Sequence, residues 1–250
     1  MEQNLFGNKK VLITGASGLV GAHLLIKLLQ QGISVRALVR NQTSKNQIMY
    51  MANLYPNTIV NLETVDWFYG DITNSEDVLE STQGIQYIFN CAGYVSFNNK
   101  DSKQLELVNV VGTANIVNAA LENSCIKLCH VSSIAAIGKS INNEPITEVC
   151  EYEYTKQGSP YSNSKYLGEL EVWRGIAEGL QAVIVNPSVI IGAGNWSTSS
   201  TTLFTNVAKG MKYYTSGITG YVSVHDVVSS MILLMQSNIV QERFIISSQN

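Results

Sequence analysis

The stretch TGASGLVG, residues 14–21, constrains this chain more than any other. It follows directly on the apolar run KVLITG (10–15), which reads as a buried strand. It opens LVGAHLLIKLLQQG (19–32), where apolar positions recur at helical spacing before a closing glycine. Gly15, Gly18 and Gly21 at such a strand–helix junction allow a tight turn, a close backbone approach to a ligand, and close packing of helix on strand. The first N–H groups of the helix and the positive end of its dipole then favour phosphate. The pattern predicts a dinucleotide site. Ser17, Leu19 and Val20, in the same turn, join Gly15 and Gly18 as candidate cofactor contacts.

The remaining sequence repeats the alternation. Strands are expected at 33–39, 62–69, 87–93, 127–133 and 181–187, with helices near 44–54, 102–122 and 159–178 between them. Strand–helix alternation implies parallel pairing through right-handed crossovers, hence an α/β, Rossmann-like doubly wound parallel sheet. Residues 1–187 are assigned to this dinucleotide-binding domain. After Pro187 the texture changes: NWSTSSTT (195–202) reads as a loop, and the segments beyond it are short. Residues 188–250 are expected to form a small, partial substrate lobe, interleaved over about 221–247 with elements that return to the sheet. The chain ends on QERFIISSQN, a strand pattern with nothing after it.

Composition narrows the function. The 250 residues suffice for one sizeable core. A hydrophobic share of 45% against 14% charged residues excludes a disordered chain, and a net charge of −3 argues against nucleic acid as partner. MEQNLFGNKK has no signal-peptide core, and no run approaches the ~20 apolar residues that span a bilayer. Cys91, Cys125, Cys129 and Cys150 show no metal-site spacing, and His23, His130 and His225 stand singly, so reduced thiols, no metal and a cytoplasmic location are expected.

An absence speaks to the cofactor. A carboxylate about 20 residues past the loop holds the ribose hydroxyls of NAD, yet no Asp or Glu occurs between Glu2 and Glu63. The end of the second strand carries Arg36 and Arg40 instead, with Lys45 soon after. Arg40 is placed to meet a 2′-phosphate, which favours NADP (NADPH) over NAD. Asp71 and Ile72 follow the third strand, where a carboxylate can accept from an adenine amino group. Ala92 and Gly93 end the fourth, where small residues let a cofactor lie close to the sheet.

YSNSK (161–165) puts Tyr161 and Lys165 four apart on one helix face. A neighbouring ammonium favours the phenolate and is expected to lower the pKa of the phenol from ~10. The pair suits proton exchange with a carbonyl or alcohol. Ser133, at the tip of the fifth strand, adds a hydroxyl that can polarise the same oxygen.

TGASGLVG, GDIT, NCAG, NVVGT, VSSIAAIG, YSNSK and NPSVIIGAG together resemble the extended form of the short-chain dehydrogenase/reductase superfamily, of the NAD-dependent epimerase/dehydratase type, over nearly the whole chain. The resemblance implies Ser133, Tyr161 and Lys165 as the catalytic triad, with Ser132 as the alternative serine. Tyr161 would be the general acid/base, and Lys165 would hold the nicotinamide ribose. Pro187 and Ser188 would pass beside the nicotinamide, and Asn109 resembles a helix residue that braces the sheet.

Dehydratases of the superfamily need an extra acid and base after the serine, where this chain has Ile134, Ala135 and Ala136. SSIAAIG is more similar to dihydroflavonol reductase-like and hydroxysteroid dehydrogenase-like members. The favoured reading is hydride transfer between NADPH and a carbonyl or alcohol substrate. A nucleotide-sugar epimerase using the same Ser-Tyr-Lys site is the second reading, and a non-catalytic dinucleotide sensor the third. By the same analogy the helices at 102–122 and 159–178 would form a homodimer contact. Extended members continue past the strand that Phe244 to Ser247 would form, so the substrate lobe is expected to be cut short here.

Overall fold

The strand β1 (Val11–Thr14) is buried at every position, as an apolar strand flanked by neighbours on both sides must be. The structure is a computed structural model and describes residues 6–7, 9–54, 60–138, 144–155, 158–195, 202–210 and 219–249. Helix α1 (Leu19–Gln30), β2 (Val35–Val39), α2 (Gln42–Asn53), β3 (Asp66–Tyr69), α3 (Ser75–Ser81) and β4 (Tyr87–Asn90) follow in turn. Then come α4 (Ser102–Glu106), α5 (Gly112–Glu122), β5 (Lys127–Val131), α6 (Pro160–Ala177) and β6 (Ala182–Pro187). The last part holds β7 (Val189–Ile191), α7 (Thr202–Ala208), β8 (Tyr221–Ser223), α8 (Val224–Gln236) and β9 (Glu242–Ile246).

Seven strands form one sheet in the order β3-β2-β1-β4-β5-β6-β9, with every pair parallel. Side chains alternate between its faces. Val11, Ile13, Val35, Cys129 and Val183 pack with α1, α2 and α8 on one face. Leu12, Ile88, Leu128 and Ile184 pack with α3, α5 and α6 on the other. This is the doubly wound fold, and its strand order reverses between β1 and β4, where such sheets open a ligand crevice. Beyond β6, β7 and β8 pair parallel as a second, two-stranded sheet, and α8 returns to pack on α1. Of the polar run 195–202, residues 196–201 lie outside the described residues. Among the described residues no helix is long and apolar enough to cross a membrane.

Two sequence expectations are modified locally. The strand expected from residue 62 begins at Asp66, because Asn61 accepts the N–H of Glu63 and starts a 3₁₀ turn over Leu62–Thr64. The helix expected over 102–122 is α4 and α5 joined by a π turn at Leu107–Val111, and this turn contains the buried Asn109. Helix α6 starts as its sequence dictates, with Ser159 as cap and Pro160 in the first turn. It lies so close to the π turn that a Cβ on Gly168 would strike the carbonyl oxygen of Asn109. That approach sets the position of the Tyr161 and Lys165 face relative to β4.

Candidate active site

The glycine turn closes against the loop after β4. Gly15 has φ +61°, and a Cβ on it would lie 2.6 Å from the Cα and nitrogen of Ala92. Gly18 caps α1 with no side-chain bond and no acid in the first turn. Ser17, Gly18, Leu19 and Val20 therefore present an uncapped helix amino end to the crevice, the arrangement a pyrophosphate requires. Beneath it the Ala92 N–H donates to Thr14 Oγ1 (3.1 Å), and the Thr14 hydroxyl donates to Asn90 Oδ1 (2.6 Å). The Asn90 amide then donates to His130 Nδ1 (3.1 Å). Burial and the charge of Lys165 hold His130 well below the usual imidazole range, so it is neutral.

The basic residues near β2 separate into different roles. Arg36 is committed to structure: it binds Asp66 at 2.8 Å and donates to the carbonyls of Ser81 and Gln83. Lys45 stands 4.9 Å over the ring of Trp67. Arg40, one residue past β2, is exposed and has no side-chain partner among the described residues. Asp71 uses Oδ1 to accept from the N–H and hydroxyl of Thr73, while the carbonyl of Ile72 accepts from Asn115.

At the other end of the crevice, Tyr161 and Lys165 share one face of α6. The hydroxyl of Ser133 is close enough to the phenol of Tyr161 to draw its pKa down, and Ser133 is itself fixed by accepting the N–H of Ala135. Lys165 Nζ donates to the carbonyl of Val131 at 2.9 Å. A Cβ added to Gly93 would lie 3.8 Å from that amine, so the β4 loop passes directly by it. Asn109 holds the same loop. It accepts the N–H of Tyr94 (2.7 Å), donates to the Tyr94 carbonyl (3.0 Å), and donates to Ser164 on α6 (2.9 Å). Pro187 ends β6, beside the strand that leads to Ser133, and Ser188 is tied to the carbonyl of Ile246.

The expected lowering of the Tyr161 pKa does not occur. Burial pushes the phenol up, and the Ser133 hydroxyl offsets this only in part. The ammonium is engaged with Val131, and burial brings Lys165 down from its usual range to about 8, against the opposing pull of Glu169 and Cys91.

Sequence reasoning missed the group that organises this end. Glu169 lies four residues beyond Lys165 on α6 and is 2% exposed. Its carboxylate accepts from Ser132 Oγ (2.6 Å), Asn186 Nδ2 (2.8 Å), Arg243 Nη1 (2.9 Å) and Trp173 Nε1 (3.3 Å). The 161, 165, 169 spacing was the available signal. Ser132 is thereby committed to Glu169, while Ser133 meets Tyr161.

A profile of the family described as "NAD dependent epimerase/dehydratase family" matches residues 11–246. A Synechocystis protein named putative dihydroflavonol 4-reductase is 33% identical over 226 residues, covering 90% of this chain and 62% of its own length. Sterol demethylase protein B of Methylococcus capsulatus is 29% identical over 244 residues, covering 96% of this chain and 70% of its own. The crystal structure of gox2253 superposes with a TM-score of 0.83 at 27% identity, over 97% of this chain and 71% of that one. The chain thus spans 62% and 70% of the lengths of these two curated relatives.

Removing the carboxylate takes from the Arg243 guanidinium its anionic partner and from Ser132, Asn186 and Trp173 an acceptor. Arg243 keeps the carbonyls of Glu148 and Cys150, and Asn186 keeps that of Ser133. Glu169→Ala is expected to cost about 3 kcal/mol of stability. Urea denaturation checks this, and a loss below about 1 kcal/mol, the scale of a single neutral hydrogen bond, would contradict it.

Proposed function

The chain belongs to the NAD-dependent epimerase/dehydratase family, and within it we propose a reductase that moves hydride between NADPH and a carbonyl or alcohol carbon. The observation that carries this reading is the phenol of Tyr161, with the Ser133 hydroxyl beside it and one helical turn from the buried amine of Lys165. The glycine turn and the uncapped end of α1 fit the pyrophosphate of a dinucleotide. Bound there, the nicotinamide supplies or accepts the hydride.

The residues of the chain handle the proton. In reduction, Tyr161 gives its phenolic proton to the carbonyl oxygen while the Ser133 hydroxyl stabilises the charge that develops there. A phenol raised by burial is still protonated at neutral pH, which suits an acid. Lys165 holds the cofactor ribose, and its ammonium stabilises the phenolate left after transfer. The name of the Synechocystis relative, a putative dihydroflavonol 4-reductase, accords with reduction.

Stopped assays of NADPH oxidation with a carbonyl panel test the assignment. Tyr161→Phe is expected to lose about 10²–10⁴-fold in kcat; equal activity in the two proteins would refute the acid role. Lys165 is charged below its pKa of about 8 and neutral above it, so activity is expected to fall as pH rises through about 8. A rate that is flat across that range would remove the ammonium from the mechanism.

Arg40 is the candidate for the 2′-phosphate of NADPH, since Arg36 is held by Asp66. Arg40→Ala is expected to weaken NADPH about tenfold while leaving NADH unchanged, the effect of one charge-assisted hydrogen bond. Asp71 is the candidate for the adenine amino group. Tighter binding of NADH than NADPH by the unaltered protein overturns the preference.

A homodimer through α4, α5 and α6 is the proposed assembly. Leu107 (42% exposed), Val111 (41%) and Leu170 (41%) lie outward on these helices and the π turn. Sedimentation is expected to give twice the chain mass, and a monomer at high concentration counts against this contact.

A further inference from the structure

Phe97 is 79% exposed, an uncommon situation for a phenylalanine. Its ring nevertheless stands edge-on to Tyr161, with centroids 5.5 Å apart and planes at 63°. The loop that carries it is fixed at both ends. Upstream, Asn109 clamps both backbone groups of Tyr94. Downstream, the Ser96 hydroxyl donates to Asp101 Oδ2 at 2.6 Å, and the Asn98 N–H donates back to Ser96 Oγ at 3.1 Å. Polar bonds thus hold an apolar ring in solvent beside the phenol. Tyr94 and Val95, in the same loop, are also partly exposed, at 36% and 40%.

We propose that Phe97, with Tyr94 and Val95, forms the wall that receives the substituent of the substrate, and that the preferred substrates carry a flat apolar ring near the reacting carbonyl. This rests on the proposed role of Tyr161. A carbonyl oxygen bonded by Tyr161 and Ser133 has Phe97 as an aromatic neighbour, and a ring there gains both apolar burial and edge or face contact. A hydroxylated sugar ring gains less from this apolar wall than an aromatic ring does. Residues 94–99 (YVSFNN) carry no charge, and the first charged side chains after them, Lys100 and Asp101, are of opposite sign, so the loop offers a phosphate no net attraction.

Calorimetry with saturating NADP⁺, and in parallel NAD⁺, tests the wall without hydride transfer, because the oxidised cofactor cannot reduce a ketone. The probes are benzylacetone, methyl butyl ketone and UDP-glucose. Benzylacetone is expected to bind at least about tenfold more tightly than methyl butyl ketone, and Phe97→Ala to abolish that difference with cofactor binding unchanged. Equal binding of the two ketones, an unchanged difference in Phe97→Ala, or UDP-glucose binding more tightly than benzylacetone overturns the proposal. If the wall behaves as expected yet NADPH reduces none of the ketones, the reductase reading fails and the apolar wall stands. If reduction proceeds but Phe97→Ala loses equally with both ketones, Phe97 only positions Tyr161 and the wall is refuted.

Discussion

Glu169 is an acidic side chain paired with Arg243 and with almost no access to water, and much of the structure around Tyr161 follows from satisfying it. Removing a carboxylate from water costs several kcal/mol unless donors replace the hydration shell. Here the donors come from the end of β5 (Ser132), from β6 (Asn186), from β9 (Arg243) and from α6 itself (Trp173). Arg243 also donates to the carbonyls of Glu148 and Cys150, and the Ile245 N–H donates to Glu148 Oε1. The segment 144–155 is therefore bound to the edge strand through the same guanidinium. One carboxylate fixes how the helix carrying Tyr161 and Lys165 sits on the last three strands.

The cofactor end depends on a different constraint, the absence of side chains where backbones meet. Gly15 lets the first turn touch Ala92, and Thr14, Asn90 and His130 stitch β1, β4 and β5 together just below that contact. The direction of these bonds is determined stepwise. The Thr14 hydroxyl uses the oxygen of the Asn90 amide, so its nitrogen faces His130 and makes Nδ1 an acceptor. A neutral imidazole in that place adds no positive charge beside Lys165, and the amine contributes its own ammonium with a pKa already near neutrality.

The sheet, the order of elements and the Tyr161–Lys165 pair were legible in the sequence because each is a local pattern. Apolar runs of period two or near four, glycine at a strand–helix junction, and a four-residue spacing all survive without knowledge of distant neighbours. The choice between Ser132 and Ser133 was open for a physical reason. Adjacent residues at a strand end point opposite ways, and only the partners, Glu169 for one and Tyr161 for the other, tell them apart. Glu169 reads in sequence as one more acid on a helix surface, since Arg243 lies 74 residues away. Phe97 sits in a loop with no periodicity, so nothing local marks it. The phenol of Tyr161 was expected to fall because Lys165 is near in sequence. Burial is a property of the whole fold, and it outweighs that local expectation.

Residues 161, 165 and 169 place a phenol, an amine and a carboxylate one helical turn apart, and their order has a consequence. Glu169 draws the Lys165 charge toward stability, while burial opposes it, and the balance leaves the amine near half-protonation just above neutral pH. Arg243 moderates the pull by sharing the carboxylate. Glu169 keeps the amine more highly charged than burial alone would leave it. The intermediate position makes the charge of Lys165 responsive to any further negative charge brought beside it. A carboxylate that is not among the groups acting on the phenol of Tyr161 thus helps set the charge of the amine one helical turn from it.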